Sequence, residues 1–327
     1  MAGKFGPASV VVLAGGYNLL AAKLKSLNHK IESITEPTGG LGDASEEATP
    51  VGVERLTVTQ GGGFFDTSTA KTHAAWSAGM GTTPQATPKV ICVGFAGNEI
   101  GAPFYGIQGM FQVDYEVMAA IAELTKANAQ YRVAGRLDRG QIIQHLTAKT
   151  ADWNTKTLGT QVDYAADTQQ RVIPITSNSV ANPSVVTTPV PHGLTTGDII
   201  VISGVSTSSP TINGQRTVTV ISETTFSVPV NVTVGGTGGS FVKANSANGG
   251  VGYLQVTAAS GFTNFVGKIR DSADDTTYAD LVTFTDNVSA PFAERVSVAG
   301  VCDRYLSFDG NVTGSGEITV FAGFCRS

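Results

Sequence analysis

From Pro191 to Phe226 the chain reads PHGLTTGDIIVISGVSTSSPTINGQRTVTVISETTF. Two turn signals, His192-Gly193-Leu194 and Thr196-Gly197-Asp198, precede the β-branched run Ile199–Ser203. Asn213-Gly214 then supplies a pair suited to the positive φ angles of a hairpin. Thr217–Ser222 and Phe226–Pro229 resume the apolar pattern, and Val185-Val186, Val232–Val234 and Phe241-Val242 extend it on either side. Short strands at this spacing, closed by Pro, Gly and Asn, indicate a small β-sandwich or barrel.

Charge marks the borders of this region. Residues 172–267 carry only Asp198, Arg216, Glu223 and Lys243, whereas residues 268–327 carry 5 basic and 9 acidic groups. Asn178-Ser179 and Asn245 to Gly250 read as joints. The expected division is therefore residues 1–177 and 246–327 as two parts of one domain, with an inserted β-module at 178–245. Across all 327 residues only 14% are charged, well below the ~25% usual in soluble domains, while glycine reaches 39. Such a composition favours strands and glycine turns over long helices or a disordered tail. The net charge of −5 lacks the basic excess of a protein that grips nucleic acid.

On the flanks, Val10–Leu13, Val51–Thr59 and Val90–Phe95 read as strands, and Ser68–Ala78 as a short helix. Val117, Ile121 and Leu124 recur at i, i+4 and i+7, which predicts one principal helix over Val117–Ala129 capped by Asp114. Tyr131–Val133 and Ile142–Thr150 would flank a turn at Gly135–Gly140. Tyr253–Thr257, Phe265–Ile269, Leu281–Thr285, Glu294–Val301, Tyr305–Phe308 and Glu317–Phe324 read as strands, with Gly314-Ser315-Gly316 as a hairpin loop. The fold class expected is mainly β (α+β). Lys4 and the apolar run Ala8–Ala14 are too short to span a bilayer and lack signal-peptide form, so assembly in a cytoplasm is expected.

No catalytic constellation is found. The sequence contains neither G-x-x-x-x-G-K-[ST] nor G-x-S-x-G. His29, His73, His145 and His192 are scattered, and Cys92, Cys302 and Cys325 have no C-x-x-C spacing, so buried thiols are expected. Asp271, Asp274 and Asp275 fail the EF-hand pattern and read as a solvated turn. Arg136, Asp138 and Arg139 read as a charged hairpin tip or a subunit contact. His192 and Asp198 read as turn residues. No cofactor, metal site or catalytic activity is expected.

Three stretches resemble the major tail tube proteins of long-tailed bacteriophages. These are Leu41-Gly42-Asp43 through Gly63-Phe64-Phe65-Asp66; Glu123 to Ala127 with Tyr131 and Gly135 to Gly140; and Lys268 to Asp275 through Glu294-Arg295-Val296 and Arg304-Tyr305-Leu306 to Phe324-Cys325-Arg326. The module at 178–245 is similar to a small β-module recurrent in phage virion proteins. The resemblance implies a tail-tube-like β-sandwich or barrel with one flanking helix, plus an Ig-like or small-barrel insertion on the outer surface. It implies hexameric rings of identical subunits stacked into a hollow tube in the virion tail. The expected partners are the protein itself and tape-measure, tail-terminator and tail-tip proteins, with genomic DNA passing through without specific binding. The competing reading is a tail-tip, fibre or decoration protein whose module binds a cell-surface glycan.

Overall fold

A computed structural model describes residues 11–19, 26–37, 48–67, 72–77, 89–120, 123–133, 137–167, 170–245 and 248–326. The body of the fold begins with β1 (Val11–Ala14), β2 (Tyr17–Asn18), β3 (Ser26–Pro37) and β4 (Ala48–Phe64). Helix α1 (Thr72–Ser77), β5 (Lys89–Gly94), β6 (Pro103–Met118), β7 (Lys126–Val133), β8 (Leu137–Lys149), β9 (Trp153–Asn154) and β10 (Val162–Asp163) follow, and a 3-10 turn spans Tyr164–Ala166. The next strands are β11 (Ile173–Pro174), β12 (Ser177–Asn178), β13 (Ser184–Thr187), β14 (Ile199–Ser203), β15 (Gly214–Thr217), β16 (Thr219–Ser222), β17 (Thr225–Val228) and β18 (Ser240–Lys243). The chain closes with β19 (Gly250–Ser272), β20 (Ala279–Thr283), β21 (Phe292–Val298) and β22 (Tyr305–Arg326). The protein is mainly β.

β1 to β10 and β19 to β22 form one 14-stranded sheet, whose main path runs β2-β1-β5-β6-β8-β22-β19-β20. β19 and β22 are its spine, paired antiparallel from Gly250↔Arg326 to Ser272↔Tyr305. The expected separate strands at Tyr253–Thr257 and Phe265–Ile269 are one strand, as are those at Tyr305–Phe308 and Glu317–Phe324. Gly314-Ser315-Gly316 is not a hairpin loop but the irregular middle of β22. A Cβ on Gly316 would lie 1.9 Å from the Ser260 carbonyl oxygen, and Gly261 and Gly314 take φ of +77° and +102°. Glycine lets the two backbones close on each other where the register shifts.

Trp153 holds the largest core together. Its ring stacks between Phe265 and Phe308 at centroid distances of 5.9 and 5.8 Å, and its indole N–H donates to Gln144 Oε1 at 2.9 Å. Gly310 makes room for it, since a Cβ there would fall 2.4 Å from the indole. A second core lies beneath α1, where Trp76 and Tyr131 are buried with Val58, Ile91 and Ala129.

The strands from Ile173 to Lys243 pair among themselves in two 4-stranded sheets, β11-β18-β14-β15 and β12-β13-β17-β16. Their inner faces share a separate core around Ile200, Phe226 and Phe241. Pairing starts at Ile173, five residues before the composition-based border at 178. Asn178 is no joint: it is buried, its Nδ2 donates to Ser184 Oγ at 3.1 Å, and its Oδ1 accepts from the Gly236 N–H at 3.0 Å.

The principal helix expected over Val117–Ala129 does not form. Among the described residues of that stretch, Val117 and Met118 end β6 and Lys126 to Ala129 open β7, and β7 pairs with β6 from Met118↔Lys126 to Met110↔Val133 and with β4 on its other side. The apolar spacing at 117, 121 and 124 competed with a stronger period of two. Ala127, Ala129 and Tyr131 are buried, while Asn128 and Gln130 between them are not. Pairing on both edges of β7 overrides the local helical preference. Val117 and Leu124, expected in a helical core, stand 43% and 67% exposed. The short helix expected at Ser68–Ala78 is present as α1.

Candidate assembly surface

β3, β4, β7 and β6 form an antiparallel ribbon that branches from the main path at β6. Among the described residues β3 pairs with β4 alone, so its other edge carries no partner strand over Ser26–Pro37. β6 meets β5 only as far as Met110 and β8 only as far as Ile107. From Phe111 to Met118 it pairs with β7 alone among the described residues. The ribbon thus ends in two strand edges on opposite sides, each a row of backbone donors and acceptors.

Its two faces differ. One packs on α1 and the core through Val58, Ala127, Ala129, Tyr131 and Tyr115. The other is mostly polar: it presents Asn28, Lys30, Thr59, Arg132, Asp114 and Glu116, all exposed, with exposed Phe111 opposite Arg132 and exposed Met118 opposite Lys126. Acidic and basic groups are mixed along it, and Lys30 pairs with Glu32. Beneath the ribbon, Lys89 Nζ donates to the Ala75 carbonyl at 2.7 Å and lies 5.8 Å from the Tyr131 ring centroid. Burial lowers its amine pKa to about 8.

The residues singled out in the sequence lie elsewhere. Arg136 is outside the described residues. Asp138 and Arg139 are not on a hairpin tip, because Leu137–Gly140 opens β8 and pairs with β6. Asp138 accepts from the Tyr253 hydroxyl and pairs with Arg295 Nη2 at 3.0 Å, which ties β8 to β19 and β21. Burial and the neighbouring carboxylate push the Tyr253 phenol up. Arg139 lies over the Tyr105 ring at 5.8 Å. In the sandwich, His192 is buried, with its Nδ1 accepting from the Leu194 N–H at 3.0 Å and its Nε2 set 2.9 Å from the Ser222 carbonyl. Asp198 is buried and pairs with Lys243 at 3.0 Å. Both hold turns.

The Asp271–Asp275 turn is also committed to structure. Asp271 Oδ2 accepts from the Asp303 N–H at 2.9 Å, and burial raises its pKa. Asp275 is held by Lys156 at 2.8 Å and by the Tyr278 hydroxyl at 2.7 Å. Asp274 accepts from the N–H groups of Thr277 and Thr276, both at 2.9 Å, and from Ser272 Oγ, and these bonds lower its pKa from 3.8 to about 2. A carboxylate with a depressed folded-state pKa contributes stability that is present above about 3.8 and is lost as pH falls through about 2. Amide exchange at Thr276 and Thr277 should therefore stay protected at pH 3 and lose protection near pH 2. In Asp274→Ala that protection should be absent at every pH.

An open groove of about 550 Å³ is lined by Glu99, Gln141, His145, Thr160, Gln161 and Asp163, among others. Burial lowers the His145 pKa. Asp163 is taken up by Arg304, with Nε and Nη2 each 2.8 Å from a carboxylate oxygen. The groove sets no nucleophile against a base. Cys92, Cys302 and Cys325 are free thiols, all buried. No group of three or more metal-ligating side chains occurs among the described residues, and no helix there is long and apolar enough to cross a membrane.

The ribbon edge on β6 is hidden in the sequence because Asp114 fits the cap of the helix expected over Val117–Ala129. The signal that marks it is the alternation Lys126-Ala127-Asn128-Ala129-Gln130-Tyr131.

No family model matches the chain, and no curated protein matches it. Among solved structures it is similar to the crystal structure of the Dit protein (gp 19.1) of phage SPP1, described as a paradigm of the hub adsorption apparatus in phages that infect Gram-positive hosts. The two share 8% identity over 96% of this chain and 98% of that one, with a TM-score of 0.26.

Proposed function

We propose that this protein is a structural subunit of a phage virion, the major tail tube protein, whose copies join edge to edge into hexameric rings stacked as a hollow tube. The observation that carries the reading is the β3-β4-β7-β6 ribbon, whose two outer edges pair with no other strand among the described residues. Joining the β3 edge of one copy to the β6 edge of the next is a heterologous contact, and repeated around an axis it closes a ring with no edge left. The ring number comes from the family resemblance.

The orientation follows from the two faces. The face packed on α1 and the core must point outward, so the polar face lines the bore. Its mixed charges suit a conduit, because each phosphate neutralised by a basic lining adds affinity and retards DNA. The protein acts without catalysis or cofactor. The Ile173–Lys243 sandwich is an insertion in the tube domain and sits outside the ring, where there is room for one copy per subunit. Tape-measure, tail-terminator and tail-tip proteins are the partners at the ends and in the lumen, and the virion tail is the site of action. Mass measurement on concentrated protein tests the reading: one closed species of six chains supports it, and a monomer under every assembly condition counts against it.

A further inference from the structure

We propose that the Ile173–Lys243 sandwich is docked on the body in one fixed orientation, through a surface built on Arg304 and Arg326 whose partner is the near end of the sandwich itself. Arg326, near the end of β22, stacks its guanidinium 4.0 Å from the Tyr164 ring centroid and donates to the carbonyls of Cys302, Asp303 and Arg304 at 3.1, 2.5 and 3.1 Å. Three carbonyls on one half-buried fork fix the segment before β22 and the 3-10 turn together. Tyr164 donates its N–H to the Arg304 carbonyl at 2.9 Å. Asp163 caps the turn by accepting from the Ala165 N–H at 2.9 Å and is gripped in turn by the Arg304 fork. The remaining Arg304 nitrogen, Nη1, reaches Gln215 Oε1 in β15 at 3.3 Å, and the 3-10 turn packs against β18.

The return crossing is pinned as well. Asn245 is buried and accepts from the Ile199 N–H at 3.0 Å, which holds the exit of the sandwich to β14. Beyond it Gly249 takes φ +78°, and a Cβ there would lie 2.0 Å from the Val298 carbonyl oxygen, so the chain rejoins the sheet through a position that excludes side chains. Of all these contacts, only Arg304 to Gln215 joins the body to the sandwich side chain to side chain through a charged group.

That contact has a sign that can be tested. Gln215 is exposed and is not one of the residues that build the sandwich core, so its replacement is expected to leave folding intact. Gln215→Lys sets a like charge against the guanidinium, whereas Gln215→Glu gives it a carboxylate. Spin labels at Asn231→Cys in the sandwich and Glu317→Cys in β22, both exposed, report the distance between the two units, and the buried native thiols stay unlabelled. The parent should show a single narrow distance distribution, retained in Gln215→Glu and lost in Gln215→Lys. A broad distribution in the parent, or the same distribution in both variants, would overturn the docking surface.

Discussion

Proline placed at Asn28 and at His29, one at a time, is expected to give one chain that fails to fold its ribbon and one that folds but forms no ring. Both residues lie in β3, paired with Thr59 and Val58 of β4. In an antiparallel ladder the N–H groups of successive residues point to opposite sides of the strand. One of these two therefore donates to β4 and the other points at the open edge. Proline removes the donor in either case. On the inner side it deletes a ladder bond and its ring disturbs the β3-β4 pairing. On the outer side it is tolerated by the monomer, as proline is on natural edge strands, but it denies the incoming β6 edge its partner. The readouts are thermal melting, which separates the two variants, and the mass of the assembled species. The edge-to-edge account is contradicted if the variant that melts like the parent still closes rings.

Trp153→Ala should be the most destabilising single truncation in the body. It empties the space between Phe265 and Phe308 and leaves Gln144 Oε1 without its indole donor. Removing a large buried aromatic costs about 3–5 kcal/mol, and an unpaired buried acceptor adds about 1 kcal/mol or more. Against a typical total of about 5–15 kcal/mol this is a large share of the stability. The neighbouring Leu158, 58% exposed, supplies the control: Leu158→Ala should change stability by no more than about 0.5 kcal/mol. Urea denaturation of both variants decides. A loss below about 1 kcal/mol for Trp153→Ala would mean that the Gly310 cradle and the two phenylalanines do not depend on the indole.

The parts of this architecture that were legible in the sequence are those governed by local chemistry. Between Pro191 and Phe226 the turns were legible, since Gly193, Gly197 and Gly214 all take positive φ. The expected strand Thr217–Ser222, however, divides at Val218 into β15 and β16 of different sheets, and Asn213-Gly214 ends a long connection from β14 rather than making a tight hairpin. The three cysteines read as buried thiols and are. The long strands were hidden for the opposite reason. β19 and β22 pass through their irregular middles without a turn, and the glycines that relieve crowding there look in sequence like the glycines that end a strand. The Val117–Ala129 error has the same root: a helical spacing of three apolar residues outweighed the alternation in Lys126–Tyr131, whose meaning depends on β4, more than 60 positions earlier in the chain. Asp138 illustrates the limit for single residues. It sits in a charged run that looks exposed, yet its partners Tyr253 and Arg295 are 115 and 157 positions away.

Negative-stain microscopy of the whole chain beside a chain in which residues 173–245, the sandwich as its strands define it, are replaced by a short Gly/Ser linker tests the central claim most directly. The body cores around Trp153 and Trp76 contain no residue of the replaced segment, so both proteins should fold. Both are predicted to give hexameric rings or stacked tubes with the same bore, lined by the polar face of the ribbon. The shortened chain should have the smaller outer diameter. Isolated monomers of the whole chain at every concentration, or a bore that changes when the insertion is removed, would contradict it.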